Sequence, residues 1–260
     1  MTIDFHDAQN KMTYTSREAD PSWLELMKDN IDLNGKNVVD LGCGGGIYSI
    51  ALAKLNVNQV TAVDFSEEML KGAVENCKDY NNIMFSKGDA YDTKLPSSSY
   101  DVILERALVH HLDSLTKCFS EANRLLKKNG ILIVQDRTPE DCLLPGGENH
   151  LRGYFFDQYP KLKTKEIVRR YDSKEMQSAL GSAGFHLKKE MKLWETRRIY
   201  NDLDSLKTDL LLRTGRSILH ELTDDELTNL VKFIEKKLKH QEPIIEKDRW
   251  TIWIAKKVIE

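Results

Sequence analysis

Four aspartates, three glycines and two histidines carry the chemistry legible in this sequence. Asp40 closes the apolar run Val38-Val39 and is followed by Gly42, Gly44 and Gly46 at alternate positions. Glycines let the backbone turn sharply and let a ligand lie directly against it. A helix beginning just beyond such a turn offers N–H groups and the positive end of its dipole. The pattern suits a nucleotide-like ligand. It is not the dinucleotide fingerprint, which needs glycine at the sixth loop position, where this chain has Ile47. Asp64 ends a second apolar run, Gln59–Val63. An acid there can accept bonds from both vicinal hydroxyls of a ribose. His110 and His111 follow a fourth apolar run and are candidate bases, because imidazole titrates near neutrality. Asp136, after a fifth run, is a further candidate.

The elements that must position these groups follow from apolar periodicity. Short apolar strands are expected at Lys36–Leu41, Gln59–Val63, Ile83–Ala90, Tyr100–Leu104 and Ile131–Val134. Between them lie amphipathic stretches. One carries Ile47, Ile50 and Ala51; another opens on Ser66 with Glu67 and Glu68 in its first turn, as a capped helix does. A polar helix is expected over Cys118–Lys127, and Lys128-Asn129-Gly130 as a turn. Asp20 and Pro21 predict a helix start before Trp23–Met27. Strands alternating with helices predict a doubly wound, Rossmann-like α/β sheet, mostly parallel. Ser173–Leu180 reads as a helix closed by Gly181 or Gly184, and His186–Trp194 and Arg249–Ala255 as two last strands. Thr223-Asp224-Asp225-Glu226 is a capping-box sequence ahead of one apolar face, Leu227, Leu230, Val231, Ile234 and Leu238.

From residue 36 to 136 this order of features resembles the class I S-adenosylmethionine-dependent methyltransferases, of the methyltransferase-11 type and its ubiquinone/menaquinone C-methyltransferase-like branch. The residues that carry the resemblance are Asp40, Gly42, Gly44 and Gly46, then Asp64, then Gly88-Asp89-Ala90, then Asp101-Val102-Ile103 with His110-His111-Leu112, then Leu125–Leu132. The resemblance implies S-adenosyl-L-methionine as cofactor, held by Asp40, Gly42, Cys43, Gly44, Asp64, Phe65, Met69, Asp89, Ala90 and Arg106. In it Asp89 meets the adenine amino group while Ala90 and Phe65 flank the ring. An N-terminal segment often folds over the cofactor, which would bring Tyr14 and Arg17 to it. The last two strands pair as an antiparallel hairpin. It implies a single methyltransferase domain over 1–260, with core segments at about 33–138, 171–199 and 248–258 and helical cap elements at 1–32, 139–170 and 200–247.

Methyl transfer needs placement and exclusion of water more than a dedicated nucleophile. A base is needed only where the acceptor must lose a proton, and His110, His111 and Asp136 are the candidates for it. Glu105 and Arg106 are expected to line a cavity. Where amide and adenine N-methyltransferases carry an Asp/Asn-Pro-Pro-Tyr, this chain reads Leu104-Glu105-Arg106-Ala107. No Pro-Cys pair or three-cysteine cluster signals covalent cytosine or radical chemistry. The chain has 260 residues, a formal net charge of −3 and four scattered cysteines. That balance gives no general attraction to nucleic acid or anionic lipid, and the cysteines suggest free thiols in a reducing cytoplasm rather than a metal site. No leader-like or membrane-spanning stretch is visible. The expected acceptor is a small molecule, without membrane or nucleic-acid partners. The alternatives are RNA or protein methylation, or cofactor binding without turnover. Acceptor choice is expected in the insertions, where Tyr154–Tyr159 form an aromatic cluster. Lys161, Lys163, Lys165, Arg169, Arg170, Arg197 and Arg198 read as a solvated basic face, with contact to an anionic substrate or RNA as the alternative.

Overall fold

The computed structural model describes residues 18–238 and 243–258; Tyr14 and Arg17 lie outside them. The chain divides into two compact units. One comprises residues 18–136, 171–193 and 251–258, the other 137–170 and 194–250.

The first unit holds strands β1 (Asn37–Leu41), β2 (Gln59–Asp64), β3 (Ile83–Lys87), β4 (Tyr100–Arg106) and β5 (Leu126–Asp136). They belong to a seven-stranded sheet of order β3-β2-β1-β4-β5-β7-β6, with β6 at Phe185–Tyr200 and β7 at Ile244–Lys257. β1 to β5 pair in parallel, and β7 runs antiparallel to β5 from Ile131↔Lys256 to Asp136↔Thr251. Side chains alternate across a strand. Val38, Leu104, Ile133 and Ile254 therefore join one apolar cluster, with Trp23, Met27 and Leu52. Their neighbours Val39, Ile103, Leu132 and Trp253 join another, with Phe119, Leu125 and Leu180. Each face is covered by helices: α1 (Pro21–Asn30) and α2 (Ile47–Ala53) supply the first cluster, α4 (Leu115–Leu125) and α8 (Ser173–Ser182) the second. This is the doubly wound, mostly parallel sheet that the strand–helix alternation predicts.

Local sequence explains the helix ends. The Asp20 carboxylate accepts from the Ser22 N–H, and Pro21 opens α1. Ser66 caps α3 (Glu67–Asn76) by accepting from the Met69 N–H at 3.3 Å. Gly184, at φ +79°, follows α8. Two expectations shift. α4 starts earlier than Cys118, because Ser114 caps it, and ends before Leu126. The expected turn at Lys128–Gly130 lies inside β5, which absorbs Asn129 at φ +63° with a register shift opposite Tyr100–Val102.

The second unit is mostly helical. It contains α5 (Pro139–Cys142), α6 (Leu151–Gln158), α7 (Lys161–Val168), α9 (Leu203–Leu211) and α10 (Asp224–Leu238). The division between units falls within β6 and β7, both far longer than the sequence suggests. The capping box forms: the Thr223 N–H donates to Glu226 at 3.0 Å and the Glu226 N–H to Thr223 Oγ1 at 3.2 Å. The predicted face of α10 is buried against Tyr154, Phe155 and Phe156 of α6 and Leu206 and Leu210 of α9. The aromatic run is thus part of this unit's own core.

Candidate functional site

The site is assembled at the C-terminal ends of β1, β2, β4 and β5. The N–H groups of Gly42 and Cys43 both donate to the Val63 carbonyl, at 2.8 and 2.9 Å, and the Gly88 N–H donates to the Asp64 carbonyl at 3.1 Å. Three strand ends are thereby held together by backbone alone. The three glycines of the motif divide the work. A Cβ on Gly42 would meet Leu108 at 2.9 Å, and one on Gly46 would meet Cys77 Sγ at 2.6 Å, so both permit close packing. A Cβ on Gly44 would meet nothing within 4 Å, and its φ is +51°. Gly44 is the open position, where a ligand can approach the backbone.

Asp64 anchors that opening. One carboxylate oxygen accepts from the Gly44 N–H at 2.9 Å, the other from the Ser66 N–H at 2.9 Å. The ribose acid predicted from sequence is thus oriented by the glycine loop itself. Phe65, next in the chain, is 48% exposed, an apolar ring presented at the strand end. Asp89 is exposed and accepts from the Tyr91 N–H at 2.8 Å, with Ala90 half-buried beside it. Met69 is buried on α3, and its N–H serves the helix cap. Cys43 is buried, and its thiol points to the Gly44 carbonyl at 3.7 Å. Burial and the charges of Asp40 and Asp64 push that thiol well above its ordinary pKa, so it is no nucleophile.

Asp40 is buried and accepts from Ser49 Oγ at 2.6 Å. Desolvation raises its carboxyl to about 6, Ser49 and Arg106 opposing the rise and Asp64 adding to it. Arg106 stacks over the Tyr48 ring at 3.9 Å, a cation–π contact. Asp40, Asp64 and Arg106 therefore share one electrostatic neighbourhood. Glu105, one residue earlier on β4, points to the opposite face of the sheet. It is fully buried and accepts from the Cys118 thiol at 3.4 Å. Among the described residues its Oε2 has no hydrogen-bond partner. Burial pushes its pKa up to about 8, so it is mainly a neutral acid at pH 7.

The structure brings two of the three candidate base residues together. His110 Nδ1 lies 2.8 Å from Asp136 Oδ2 and 3.1 Å from Oδ1. The His110 backbone N–H reaches the same carboxylate at 3.4 Å. A carboxylate at Nδ1 fixes the proton there and puts the neutral ring's lone pair on Nε2. His111 is exposed, its ring centroid 3.9 Å from that of His110. Sequence reading did not pair His110 with Asp136, 26 positions apart. The parallel register of β4 with β5 supplies that pairing. It also missed Ser49, Tyr48 and the bond from Trp23 Nε1 to Gln135 at 2.8 Å. Ser49 was findable: it lies nine residues after Asp40, on the first turns of the helix that follows the glycine loop. Among the described residues no group of His, Cys, Asp and Glu is arranged to hold a metal ion.

A parallel α/β sheet with an open glycine turn and acids at adjacent strand ends defines a nucleotide-type binding fold. Comparison with known proteins narrows that class: residues 39–134 match the family described as "Methyltransferase domain". The chain is 30% identical over 110 residues to demethylmenaquinone methyltransferase of Staphylococcus aureus, covering 42% of this chain and 46% of that protein. It is 36% identical over 100 residues to the ribosomal protein L11 methyltransferase of Thermosipho melanesiensis, covering 38% and 37%. The chain thus spans less than half the length of these curated relatives. Its fold is that of a solved S-adenosylmethionine-dependent methyltransferase from Aquifex aeolicus. The TM-score is 0.56 at 18% identity, over 96% of this chain and 98% of the other.

Proposed function

We propose that this protein is an S-adenosylmethionine-dependent methyltransferase acting on a small-molecule acceptor. The observation that carries the reading is the bond from the Gly44 N–H to Asp64, at a glycine with open space where a Cβ would stand, within the residues that match the methyltransferase family. The residues present fit the cofactor. Gly44 leaves room for a ligand against the backbone. Asp64 presents a carboxylate to a ribose, Phe65 an apolar wall and Asp89 an acceptor for an adenine amino group, with Ala90 adjoining it. Asp40, Gly42 and Cys43 shape the loop, and Arg106 supplies a cation beside it. When bound, S-adenosylmethionine supplies a sulfonium-borne methyl group that an acceptor lone pair displaces in line.

The chain's own residues account for the remaining tasks. Asp136 holds His110 with its lone pair on Nε2, which can take a proton from an acceptor O–H or N–H. Without Asp136 the ring could adopt the other tautomer. Leu104-Glu105-Arg106-Ala107 disfavours amide and adenine N-methylation. The Staphylococcus aureus relative, named for a quinone, supports a small acceptor; the Thermosipho relative, named for a ribosomal protein, makes a protein acceptor the outcome that would correct it.

The test uses cofactor labelled in its methyl group, incubated with the protein and separate pools of small metabolites, nucleic acid and protein. Label among the small metabolites supports the proposal. Label on nucleic acid or protein replaces the acceptor class. Cofactor binding without transfer to any pool favours a binding protein.

A further inference from the structure

The basic residues of the second unit form the solvated face that the sequence suggests only in part. Lys161, Lys163 and Lys165 are exposed, but Arg152 and Arg170 are buried and Arg169 is largely so. They converge on Glu166 of α7, itself fully buried. Its Oε1 accepts from Arg170 Nη2 at 3.0 Å, Arg170 Nε at 3.1 Å and Arg152 Nη1 at 3.4 Å. Its Oε2 accepts from Arg169. One carboxylate thus serves three guanidiniums. Arg152 is the least served. Among the described residues it makes no bidentate fork, only the 3.4 Å contact to Glu166 and another of 3.4 Å from Nε to Asp248. A guanidinium presents five donors in a plane and binds an oxyanion best by two parallel bonds.

Two further groups nearby are incompletely bonded. Arg169 Nε has no partner among the described residues. Burial and the cations Arg170 and Arg152 hold its pKa below the ordinary value, against the pull of Glu166. His150 is 94% buried, since 6% of its surface remains exposed. Its Nδ1 lies 3.1 Å from the Pro145 carbonyl and so carries the proton, while Nε2 has no partner among the described residues. Burial, aided by Arg152 and Arg137, pushes its pKa down and keeps the ring neutral. Natural proteins leave few such groups unsatisfied, and an incompletely bonded guanidinium attracts an oxyanion.

We infer that Arg152 and Arg169, with His150 alongside, form a binding site for a small oxyanion, a carboxylate or a phosphate monoanion. Arg152 and Arg169 donate to the oxyanion, and His150 Nε2 accepts from an O–H of the same ligand. The ligand's identity as the methyl acceptor rests on the function proposed above.

Trp194 lies 5.5 Å from His150, so tryptophan fluorescence of the full chain can follow binding. Glycolate, a carboxylate that also carries an O–H, and inorganic phosphate are titrated separately in low-chloride buffer, and S-adenosylhomocysteine affinity is measured on the same samples. The expected result is saturable binding of one anion at millimolar concentration or below; which one saturates tells carboxylate from phosphate. Arg152→Met should weaken it at least tenfold. Glu166→Gln, which removes a competing anion and keeps the side chain's shape, should tighten it severalfold. A purely structural arginine cluster would not give that tightening. Where a variant fails to fold, Asp248→Asn replaces it with the same expected tightening, and the natural chain's titration decides in any case. Non-saturable responses to both anions, with S-adenosylhomocysteine still bound, overturn this site and leave the methyltransferase reading intact. Anion binding without S-adenosylhomocysteine affinity keeps the site and overturns that reading.

Discussion

Two sets of buried acids, one in each unit, are held in opposite ways. In the sheet unit, Asp40 and Glu105 each have one side-chain hydrogen-bond donor, Ser49 and Cys118, and burial raises both carboxyls, to about 6 and about 8. In the helical unit, Glu166, Asp248 and Asp209 are surrounded by arginines, which hold all three carboxyls below their ordinary range despite burial. The first arrangement leaves acids able to change protonation near neutral pH, at strand ends that frame the candidate site. The second fixes ionised groups permanently and ties distant chain segments together. A carboxyl group's role therefore follows from its partners rather than from its burial.

Breaking the paired arrangement should have the largest effect. Arg216 is buried and donates to Asp209 at 2.5 Å, Glu246 at 2.7 Å and Tyr200 Oη at 2.9 Å. Arg216→Met leaves two buried carboxylates without their shared cation, a loss of about 3–5 kcal/mol of stability by denaturant titration at pH 7. A loss under 1 kcal/mol would mean that water replaces the guanidinium. The solitary arrangement should respond with the opposite sign. Glu105 titrates at 4.5 when unfolded and at about 8 when folded, so between those values the folded state binds the extra proton. Its contribution to stability therefore declines as pH rises through that window, by up to roughly 1.4 kcal/mol per pH unit. Glu105→Gln cannot ionise. Its stability relative to the parent should rise from pH 5 to pH 8, by roughly 2–4 kcal/mol in all, and level off above. A difference that does not vary with pH would show that Glu105 has an unrecognised cationic partner. The helical unit's acids give the complementary limb. Their folded pKa values lie below 4.5 for Glu166 and 3.8 for Asp248 and Asp209, so their stabilisation is complete above about pH 5 and is lost as pH falls further.

The same contrast decides what the sequence reveals. The sheet unit was legible because its signals are local: β-strand alternation at Val38-Val39, a glycine turn, a Ser66 cap and an acid at a strand end are each readable within about ten residues. The Thr223 capping box and the α10 stripe were legible for the same reason. The arginine clusters were not. Arg169 and Arg170 beside exposed lysines look like a solvated face, and only the bond from Arg169 to Ser217, 48 positions on, and Arg152 of α6, which shares Glu166 with both, reveal them as internal. The His110–Asp136 pair sits between these cases. Both residues were singled out, but strand register rather than spacing unites them. The lengths of β6 and β7 were missed because their outer halves lack the continuous apolar character of a central strand: charged residues such as Glu195, Arg197, Glu246 and Asp248 interrupt them.

The smaller predictions sharpen the comparison at the site. Asp64→Ala removes a carboxylate oriented by two backbone N–H groups, and should weaken S-adenosylmethionine binding by about 1–2 kcal/mol in calorimetry. Unchanged affinity in a folded variant would remove Asp64 from the site.

The finest separation comes from two helix caps of the same kind. Ser66 and Thr223 each accept an N–H three residues on, and either alanine substitution should cost about 1 kcal/mol of stability. Their effects on the ligand should differ. The Ser66 backbone N–H holds Asp64, and its side chain starts α3; loosening that turn frees the carboxylate proposed to grip the cofactor. Thr223 bonds Glu226 and Leu227 at the start of α10. Ser66→Ala should therefore lower both stability and cofactor affinity, the latter a few-fold, while Thr223→Ala lowers stability alone. Equal affinity in the two variants would place the cofactor's grip elsewhere than at the β2 end. A loss of affinity in Thr223→Ala would show that the helical unit contributes to holding the cofactor.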